Sequence, residues 1–537
     1  MSETTATWSV DLSDRPLYCI SGIDAENAVV GGADHALTVL DTRRGRVSAT
    51  LHSKQSGHAE WVTCVARIGR PGDAARVVSG AMDAKICVWT LSTSSVLSCV
   101  DLIGHSASVS CLSTSLLGPG IVASGSYDST VRLWNTNNHQ LGGTCVAVFS
   151  QSQAHAAAIS AGDSNPVTDR FSSIKTRTNN ASQPRLNLKP APFPKPSTQR
   201  QRPPQSNAIL GFLSASEDAT ETITTTKFVT HSKSGILHVF DVNSNSSTPF
   251  TAVQAHQGPI SSLLLMERHA GGDVLVSSGL MDGAVRCFDL RVPDGQGRCV
   301  GKLESVHATG AGSTSAGITG MVALSQTRES EASSLGPAMQ IVTSGGGGDG
   351  VLKVLEIRGG GKIRKLIQVT ANLAKSQTNL GERGNTSISR VSRGGGNVPS
   401  ASNVSITSAS LPSRRQPKGL ELESELGGEN RFIPPSHVAY ALISIPEVNG
   451  VCVSWGNGQT NVFRNVTLPG EYSKSVGRSP SNGNLEQVDV GIETLDTKSH
   501  GIKNALRCFA VQKVSGNKLV IVGAGDDGIA VAWTLRA

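Results

Sequence analysis

Residues 77–89 read VVSGAMDAKICVW and residues 122–134 read VASGSYDSTVRLW. Each is an apolar run, a turn built from Gly and Asp, and an alternating run ending in tryptophan. In both, the turn aspartate stands six positions ahead of that tryptophan: Asp83 to Trp89 and Asp128 to Trp134. An apolar run that turns and resumes with period two marks a β-hairpin. The same spacing recurs as Asp34 to Leu40, Asp282 to Phe288, Asp349 to Leu355 and Asp527 to Trp533, and in weaker form as Ser234 to Phe240 and Asn457 to Phe463. That makes eight units. The second strands read ICVWTL, TVRLWNT, ILHVFDV, AVRCFDL, VLKVLEI and IAVAWTL. A fixed period carrying one supersecondary unit is the mark of a repeat architecture, in which no unit can bury its apolar face alone.

Composition agrees. The chain has 537 residues, 58 of them glycine, with 17% charged and 38% hydrophobic. A long helical protein would carry far more Glu, Lys and Leu. Net charge is +7, and much of it is local. Between 163 and 207 stand eight basic residues (Arg170, Lys175, Arg177, Arg185, Lys189, Lys195, Arg200, Arg202) against Asp163 and Asp169. The rest of the chain is close to neutral, which argues against a body built to neutralise phosphates.

Ten cysteines form no CxxC pair and no Cys/His cluster with zinc spacing, so no metal site and no cofactor is expected. Several lie in apolar runs, where a free thiol acts as a small hydrophobe. MSETTATW lacks an apolar leader core, and no apolar run approaches 18 residues. The expectation is a protein of the cytoplasm, the nucleus or both, with no membrane contact.

These residues resemble the WD40 repeat family. The likeness includes Gly57-His58 and Gly104-His105, whose histidines stand 31 and 29 residues before Trp89 and Trp134. The resemblance implies an all-β fold, a single β-propeller with four antiparallel strands per blade. The count is eight blades, or seven if blade 4 or 7 is misread. They are placed near 16–52, 58–102, 105–150, 208–253, 256–303, 317–370, 432–468 and 500–537. The last repeat supplies three strands, and residues 6–12, ATWSVDL, are expected to close the ring as its fourth. Residues 163–207 (eight prolines) and 374–431 (Ser, Gly and Arg, then acidic at Glu421, Glu423, Glu425 and Glu429) are read as disordered insertions. Shorter low-complexity loops are read near 309–316, 327–338 and 470–498. Arg414-Arg415-Gln416-Pro417-Lys418 is a weak nuclear-import pattern.

The resemblance also implies a buried tetrad. One set is His58, Ser79, Asp83 and Trp89; a second is His105, Ser124, Asp128 and Trp134. A third is His256, Ser278 and Asp282, with Phe288 where a tryptophan belongs. A buried carboxylate is costly unless hydrogen-bonded. The histidine can donate to the Asp and accept from the Ser, which accepts from the indole N–H. Recurrence in several blades marks these sets as structural, not catalytic. The run Gly345 to Gly348 lacks the GxxxxGK[ST] pattern, and HExxH and GxSxG are absent. No enzyme is expected.

In the family, the residue before the turn Asp tends to line the top face near the channel mouth. Those positions are Ala33, Met82, Tyr127, Lys233, Met281, Gly348, Gly456 and Asp526. Met82, Tyr127, Lys233 and Met281 are the candidate contacts for an apolar or mixed peptide; the plainer alternative is turn residues with no partner. None is Arg, so phosphopeptide capture is not expected. Finally, VSSGLMDGAVRCFDLR (276–291) resembles the box of cullin-4 ubiquitin ligase substrate receptors, which ends in W-D-x-R. Here Phe288 replaces the Trp, while Asp289 and Arg291 match; blade 1 ends in Leu40-Asp41-Thr42-Arg43. The function expected is a non-enzymatic scaffold for proteins or peptides, monomeric within a larger complex. The alternatives are a cullin-4 substrate receptor or a ribonucleoprotein assembly factor using the basic insertion; nucleic acid is not the expected partner of the near-neutral body.

Overall fold

The computed structural model describes residues 2–52, 56–69, 75–91, 96–114, 120–137, 143–151, 209–214, 227–242, 247–249, 251–266, 274–289, 298–308, 315–327, 338–346, 350–358, 361–370, 438–466, 490–514 and 517–536. The insertions at 163–207 and 374–431, with Gly348 and Arg291, lie outside them. The described chain folds into eight sheets of four antiparallel strands, one of them with an added parallel strand, and a small two-stranded sheet, His307–Ala308 with Ser315–Ala316. Blade 1 is Leu17–Gly22, Asn27–Gly32, Leu37–Asp41 and Arg46–Leu51; blade 2 is Val62–Ile68, Arg76–Ala81, Ile86–Leu91 and Val96–Leu102. Blade 3 is Val109–Ser113, Ile121–Ser126, Thr130–Asn135 and Thr144–Ser150; blade 4 is Ile209–Ser214, Lys227–Ser232, Ile236–Asp241 and Thr251–Gln254. Blade 5 is Ile260–Met266, Val274–Gly279, Val285–Asp289 and Arg298–Leu303; blade 6 is Ile318–Thr327, Ala338–Gly345, Val351–Arg358 and Lys362–Thr370. Blade 7 is Ala439–Ile445, Gly450–Trp455, Thr460–Arg464 and Gly491–Leu495, and blade 8 is Leu506–Val514, Lys518–Gly525 and Ile529–Arg536. First strands touch from blade to blade all the way round, blade 8 meeting blade 1, so they line the axis. The fold is an eight-bladed β-propeller.

Its core lies between the blades. Val29, Leu37 and Val39 of blade 1 pack on Val62, Val77 and Trp89 of blade 2. Ile68, Val78 and Val88 pack on Val109, Val122 and Trp134 of blade 3. Phe149 meets Phe228 and Phe240 edge-on, with centroids 5.3 Å apart in both pairs, between blades 3 and 4. Both faces of a central strand are therefore covered, which is why these strands read as nearly continuous apolar runs.

The N-terminus closes the ring. Trp8–Asp11 pairs antiparallel with the third strand of blade 8, Trp8 opposite Ala532 and Asp11 opposite Ile529. Trp8 lies against Gly45 of blade 1 and donates its indole N–H to the Thr42 carbonyl at 2.8 Å. It thus joins the last blade to the first. Two features differ from the sequence expectation. Ser2–Thr4 adds a fifth strand to blade 7, parallel to Gly491–Leu495. Blade 7 itself extends past 468, because its outer strand, Gly491–Leu495, comes from the stretch read as a low-complexity loop. Five alternating residues among polar ones give too short a signal to separate a strand from a loop.

The tetrads sit at the loop entering each blade. His58 Nε2 lies 2.8 Å from Ser79 Oγ and its Nδ1 3.4 Å from Asp83, and the Trp89 indole donates to Ser79 Oγ at 2.9 Å. His105 is 2.7 Å from Ser124 and 2.8 Å from Asp128, with Trp134 donating to Ser124 at 2.8 Å. Burial would raise the Asp128 carboxyl, but the hydrogen bond and charge of His105, with Thr130 and the Ser106 N–H, hold it below its ordinary value. In blade 5 the serine is Ser277, not Ser278. His256 Nε2 meets Ser277 Oγ at 2.7 Å, and its Nδ1 is 3.0 Å from Asp282. The reason is the hairpin. In blade 2 the loop closes from Ala81 N–H to the Lys85 carbonyl; in blade 5 it closes from Gly279 to Ala284, one residue longer on the side preceding the Asp. Gly279 permits this, since a Cβ there would strike Asp282 and His256. Ser278 points the other way and bonds Ser261 Oγ at 2.8 Å.

Two degenerate blades keep half of the lock. In blade 6, His307 Nε2 lies 3.1 Å from Thr343 Oγ1. In blade 4, where Ser234 replaces the Asp, buried Gln151 donates to Thr230 Oγ1 at 2.8 Å. Sequence reading missed both, because Thr for Ser and Gln for His break the letter pattern while preserving the donors.

Three measurements follow from this architecture. Trp8→Ala should lower unfolding stability by about 2–3 kcal/mol, and removal of residues 2–12 should produce self-association through the bared edge; an unchanged midpoint and a monomeric elution would contradict the closure. Ser277→Ala strands the buried His256 nitrogen and should cost about 1–3 kcal/mol, against less than about 1 for Ser278→Ala; equal losses in thermal denaturation would reject the assignment. Burial lowers His231, in blade 4, from 6.5 to about 4. Between those two pH values the unfolded chain holds a proton that the folded one does not, so stability falls as pH falls through that window, by about 1.4 kcal/mol per pH unit at most. His231→Leu should flatten the melting temperature against pH from 6.5 to 4; an unaltered slope would exclude this histidine as its source.

Candidate functional site

A structural regularity picks out one end of the ring. Each first strand breaks register after its first residue, placing one extra residue there in every blade. The extra positions are Tyr18, Thr63, Ser110, 210, Ser261, Thr319, Tyr440 and Arg507. A β-bulge re-aims the side chain it carries. Val62 pairs with Ala81 beside the turn holding Asp83, so the bulges share an end with the turn aspartates, hereafter the turn end.

In blades 2, 3, 5 and 6 the bulge carries a hydroxyl that bonds into its own blade. Thr63 lies 3.0 Å from the Gly80 carbonyl, and closer, at 2.6 Å, to the Val109 carbonyl of blade 3; Ser110 donates to the Gly125 carbonyl at 3.0 Å. Ser261 meets Ser278 at 2.8 Å and Thr319 meets Ser344 at 3.0 Å. Four blades lack the hydroxyl: blade 4, with Leu210, and three consecutive blades. Blade 7 carries Tyr440, blade 8 Arg507 and blade 1 Tyr18. The Arg507 guanidinium lies 4.6 Å from the centre of the Tyr440 ring, a cation–π distance. It also grips Asp526 with two bonds, 2.8 and 2.9 Å. Tyr18 stands 5.8 Å from Trp61, centroid to centroid. Partial burial raises the Tyr18 hydroxyl above its ordinary value; Asp526 adds to this and Arg507 opposes it.

The row runs on into blades 2 and 3. The Met82 N–H donates to the Trp61 carbonyl at 2.9 Å, Ser108 Oγ donates to the Met82 carbonyl at 3.2 Å, and the Tyr127 N–H donates to the Ser108 carbonyl at 3.0 Å. Met82 is 39% exposed. Tyr127 is more covered, and burial, helped by Cys111, raises its hydroxyl. Of the other turn positions, Met281 is 49% exposed and lies against Gly258, Ala33 is buried, and Lys233 is half-buried. Thus Met82 and Tyr127 join one row with Tyr440, Arg507, Asp526, Tyr18 and Trp61, while Lys233 and Met281 stand on blades 4 and 5. Tyr18, Trp61, Tyr440 and Arg507 escaped the sequence reading because the bulge that aligns them is a property of strand pairing. Large residues second in an apolar strand were the available signal.

The tetrad histidines offer no substrate access: the side chains of His58, His105 and His256 are fully buried. Asp289 ends the third strand of blade 5, so it lies at the opposite end from Met82. Arg43, the corresponding arginine of blade 1, already pairs with Glu26 at 2.9 Å. Among the described residues, no helix is long and apolar enough to cross a membrane.

Comparison with known proteins fits this geometry. The family model described as WD domain, G-beta repeat matches residues 49–90 and 96–135. MST50-interacting protein 11 of Pyricularia oryzae and small ribosomal subunit protein RACK1 of Neurospora crassa are each 35% identical over 83 residues, 16% of this chain. The match spans only 25% of the length of either relative. Among solved structures, Saccharomyces cerevisiae Sqt1 superposes with a TM-score of 0.54 at 11% identity, over all of both chains. Chaetomium thermophilum Sqt1, bound to the N-terminus of the ribosomal protein L10, gives 0.55 at 12%, again over all of both. The C-terminal WD40 domain of Sif2 gives 0.52 at 12%, with full coverage of both. At such identities the likeness establishes the fold alone. Residues 49–90 and 96–135 thus match two repeats of the WD40 family model, and the described residues of the chain close into an eight-bladed β-propeller.

Proposed function

We propose that this scaffold holds an extended segment of a partner protein across the turn end of blades 7, 8, 1, 2 and 3. The observation that carries this is the change in bulge residues. Four described blades spend that position on an internal hydroxyl bond, while three consecutive blades present Tyr440, Arg507 and Tyr18 instead. Of the three, Arg507 also bonds its own blade, through Asp526. Aromatic side chains, with Met and Arg, are the types enriched where proteins bind proteins. The two bonds to Asp526 leave little net charge on Arg507, so the surface suits apolar and aromatic side chains rather than phosphate. Chaetomium thermophilum Sqt1, a propeller of the same fold, is bound to the N-terminus of a ribosomal protein; use of a propeller to hold a partner's terminal segment supports the same type of role here. Catalysis plays no part in this reading, and the Asp289 and Arg291 box gains no support from the described residues.

The test is a displayed peptide library screened against the full chain. Selected peptides should be rich in apolar and aromatic residues, and their binding should change little between low and moderate salt, unlike a phosphate-driven contact. Trp61→Ala, Tyr440→Ala and Met82→Ala should each weaken binding about tenfold or more, corresponding to about 1.4 kcal/mol, while Lys233→Ala and Met281→Ala leave it unchanged. Wild-type affinity in all three variants, with their melting temperatures preserved, would remove the proposal.

A further inference from the structure

Among the described residues, one group of metal-ligand side chains comes together away from this surface. Cys87, on the third strand of blade 2, stands directly opposite Asp101 on the fourth, and Cys99 stands opposite Trp89. Pairing at that register puts all four side chains on one face of the sheet. Cys87 Sγ lies 3.4 Å from Asp101 Oδ1, and Cys99 Sγ lies 4.0 Å from the same oxygen. The three donor atoms fall within 4.8 Å of one another. His58 Nδ1 is 3.8 Å from Cys87 Sγ. Sequence spacing hid the group, because the two cysteines belong to neighbouring strands of a hairpin and not to a CxxC loop.

We propose that Cys87, Cys99 and Asp101, completed by His58 Nδ1, bind a zinc ion in blade 2. Zinc takes four thiolate, imidazole or carboxylate ligands at about 2.0–2.3 Å, which sets neighbouring donors about 3.3–3.8 Å apart in a tetrahedron. Two of the three short separations given above already lie in that range, and the third exceeds it slightly. Blade 2 also differs from its sister blades at this point. Its His58 to Asp83 distance is 3.4 Å, against 2.8 Å for His105 to Asp128 and 3.0 Å for His256 to Asp282. The position of Cys87 opposite the tetrad serine is taken by Arg132 in blade 3 and Arg286 in blade 5. The slack imidazole leans toward a thiol only where a thiol has replaced that arginine.

The proton and charge balance is favourable. Binding releases the two thiol protons to solvent. The imidazole moves its proton from Nδ1, which faces Asp83 at 3.4 Å, to Nε2, where Ser79 Oγ accepts it at 2.8 Å, and so presents the Nδ1 lone pair. Asp83 then retains the backbone N–H groups of Ala59, at 2.9 Å, and Lys85, at 3.0 Å. Two thiolates and the Asp101 carboxylate are offset by the divalent ion and by the Lys85 ammonium, 3.5 Å from the other Asp101 oxygen, while the Asp83 carboxylate, 3.4 Å from Nδ1, is held by its backbone N–H donors. That balance lets the ion lie among buried groups. Asp101 and Cys99 are only partly buried, which leaves a path from solvent.

The experiment uses the full chain, reduced, stripped with a chelator, and reloaded with zinc or with cobalt as a spectroscopic probe. The expected result is one ion per chain by elemental analysis, a cobalt thiolate charge-transfer band, and a melting temperature that rises with zinc. Cys87→Ser, Cys99→Ser and Asp101→Asn should each weaken binding at least tenfold, while Cys145→Ser, at an exposed cysteine of blade 3, should not. If Cys87→Ser fails to fold, the two partly exposed positions carry the test. Failure of the reduced wild-type chain to retain stoichiometric metal would overturn the proposal, as would equal affinity in the Cys99→Ser and Asp101→Asn variants. So would a chain that only forms a Cys87–Cys99 disulfide in air and takes up no metal once reduced.

Discussion

A four-stranded sheet with two apolar faces cannot exist alone in water, and every other feature of this molecule answers to that constraint. Burial of apolar surface contributes about 25 cal/mol per Å², and here the buried side chains sit in clusters that straddle two blades. No blade owns a core. Stability is shared between neighbours, so an open array would leave two bare faces and two bare edges. The N-terminal strand resolves this by leaving its own end of the chain to complete blade 8. Trp8 then touches blade 1, tying sheet to sheet across the closure.

Polar locks serve the same constraint from the loops. The segment entering a blade carries backbone groups that must find partners as it passes from the outer edge of one sheet to the inner edge of the next. A buried histidine bridging a serine and an aspartate fixes that segment to two points of the incoming blade. The chemistry needed is a donor and acceptor at set places, which explains why Gln151 with Thr230, and His307 with Thr343, hold in blades whose letters have drifted. In blade 8 the substitution goes further: Asp527 takes the N–H groups of Lys503 and Asn504 and the Asn504 side-chain amide, with no histidine involved.

This distinction accounts for what was legible in the sequence. Features fixed by periodicity were readable: the eight hairpins, the turn aspartates, the tryptophans and the N-terminal strand that closes the ring. Features fixed by pairing were not. Ser277 and Ser278 are adjacent and identical in type, and only an added loop residue decides which faces His256. The strand Gly491–Leu495 has half its pattern in polar residues, and its identity comes from the Thr460–Arg464 strand beside it. Tyr18, Tyr440 and Arg507 occupy one equivalent position, yet the equivalence is created by bulges that no single repeat announces.

Repetition also tells where to look for use. A residue that recurs in every blade is held by the demands of the ring; one that departs from its equivalents is released from them. The bulge hydroxyls of blades 2, 3, 5 and 6 satisfy local carbonyls and hydroxyls, so a large side chain there would forfeit a hydrogen bond. In blades 7, 8 and 1 the hydroxyl bond is replaced: Arg507 bonds Asp526 of its own blade twice and lies over Tyr440, and Tyr18 stands beside Trp61. A cation over an exposed ring contributes about 0.5–1 kcal/mol, a return comparable to the hydrogen bond forgone. Tyr440 and the two bonds to Asp526 hold Arg507 in place, and Tyr18 stands beside Trp61, so adjacent blades gather aromatic and charged groups along one stretch of the turn end.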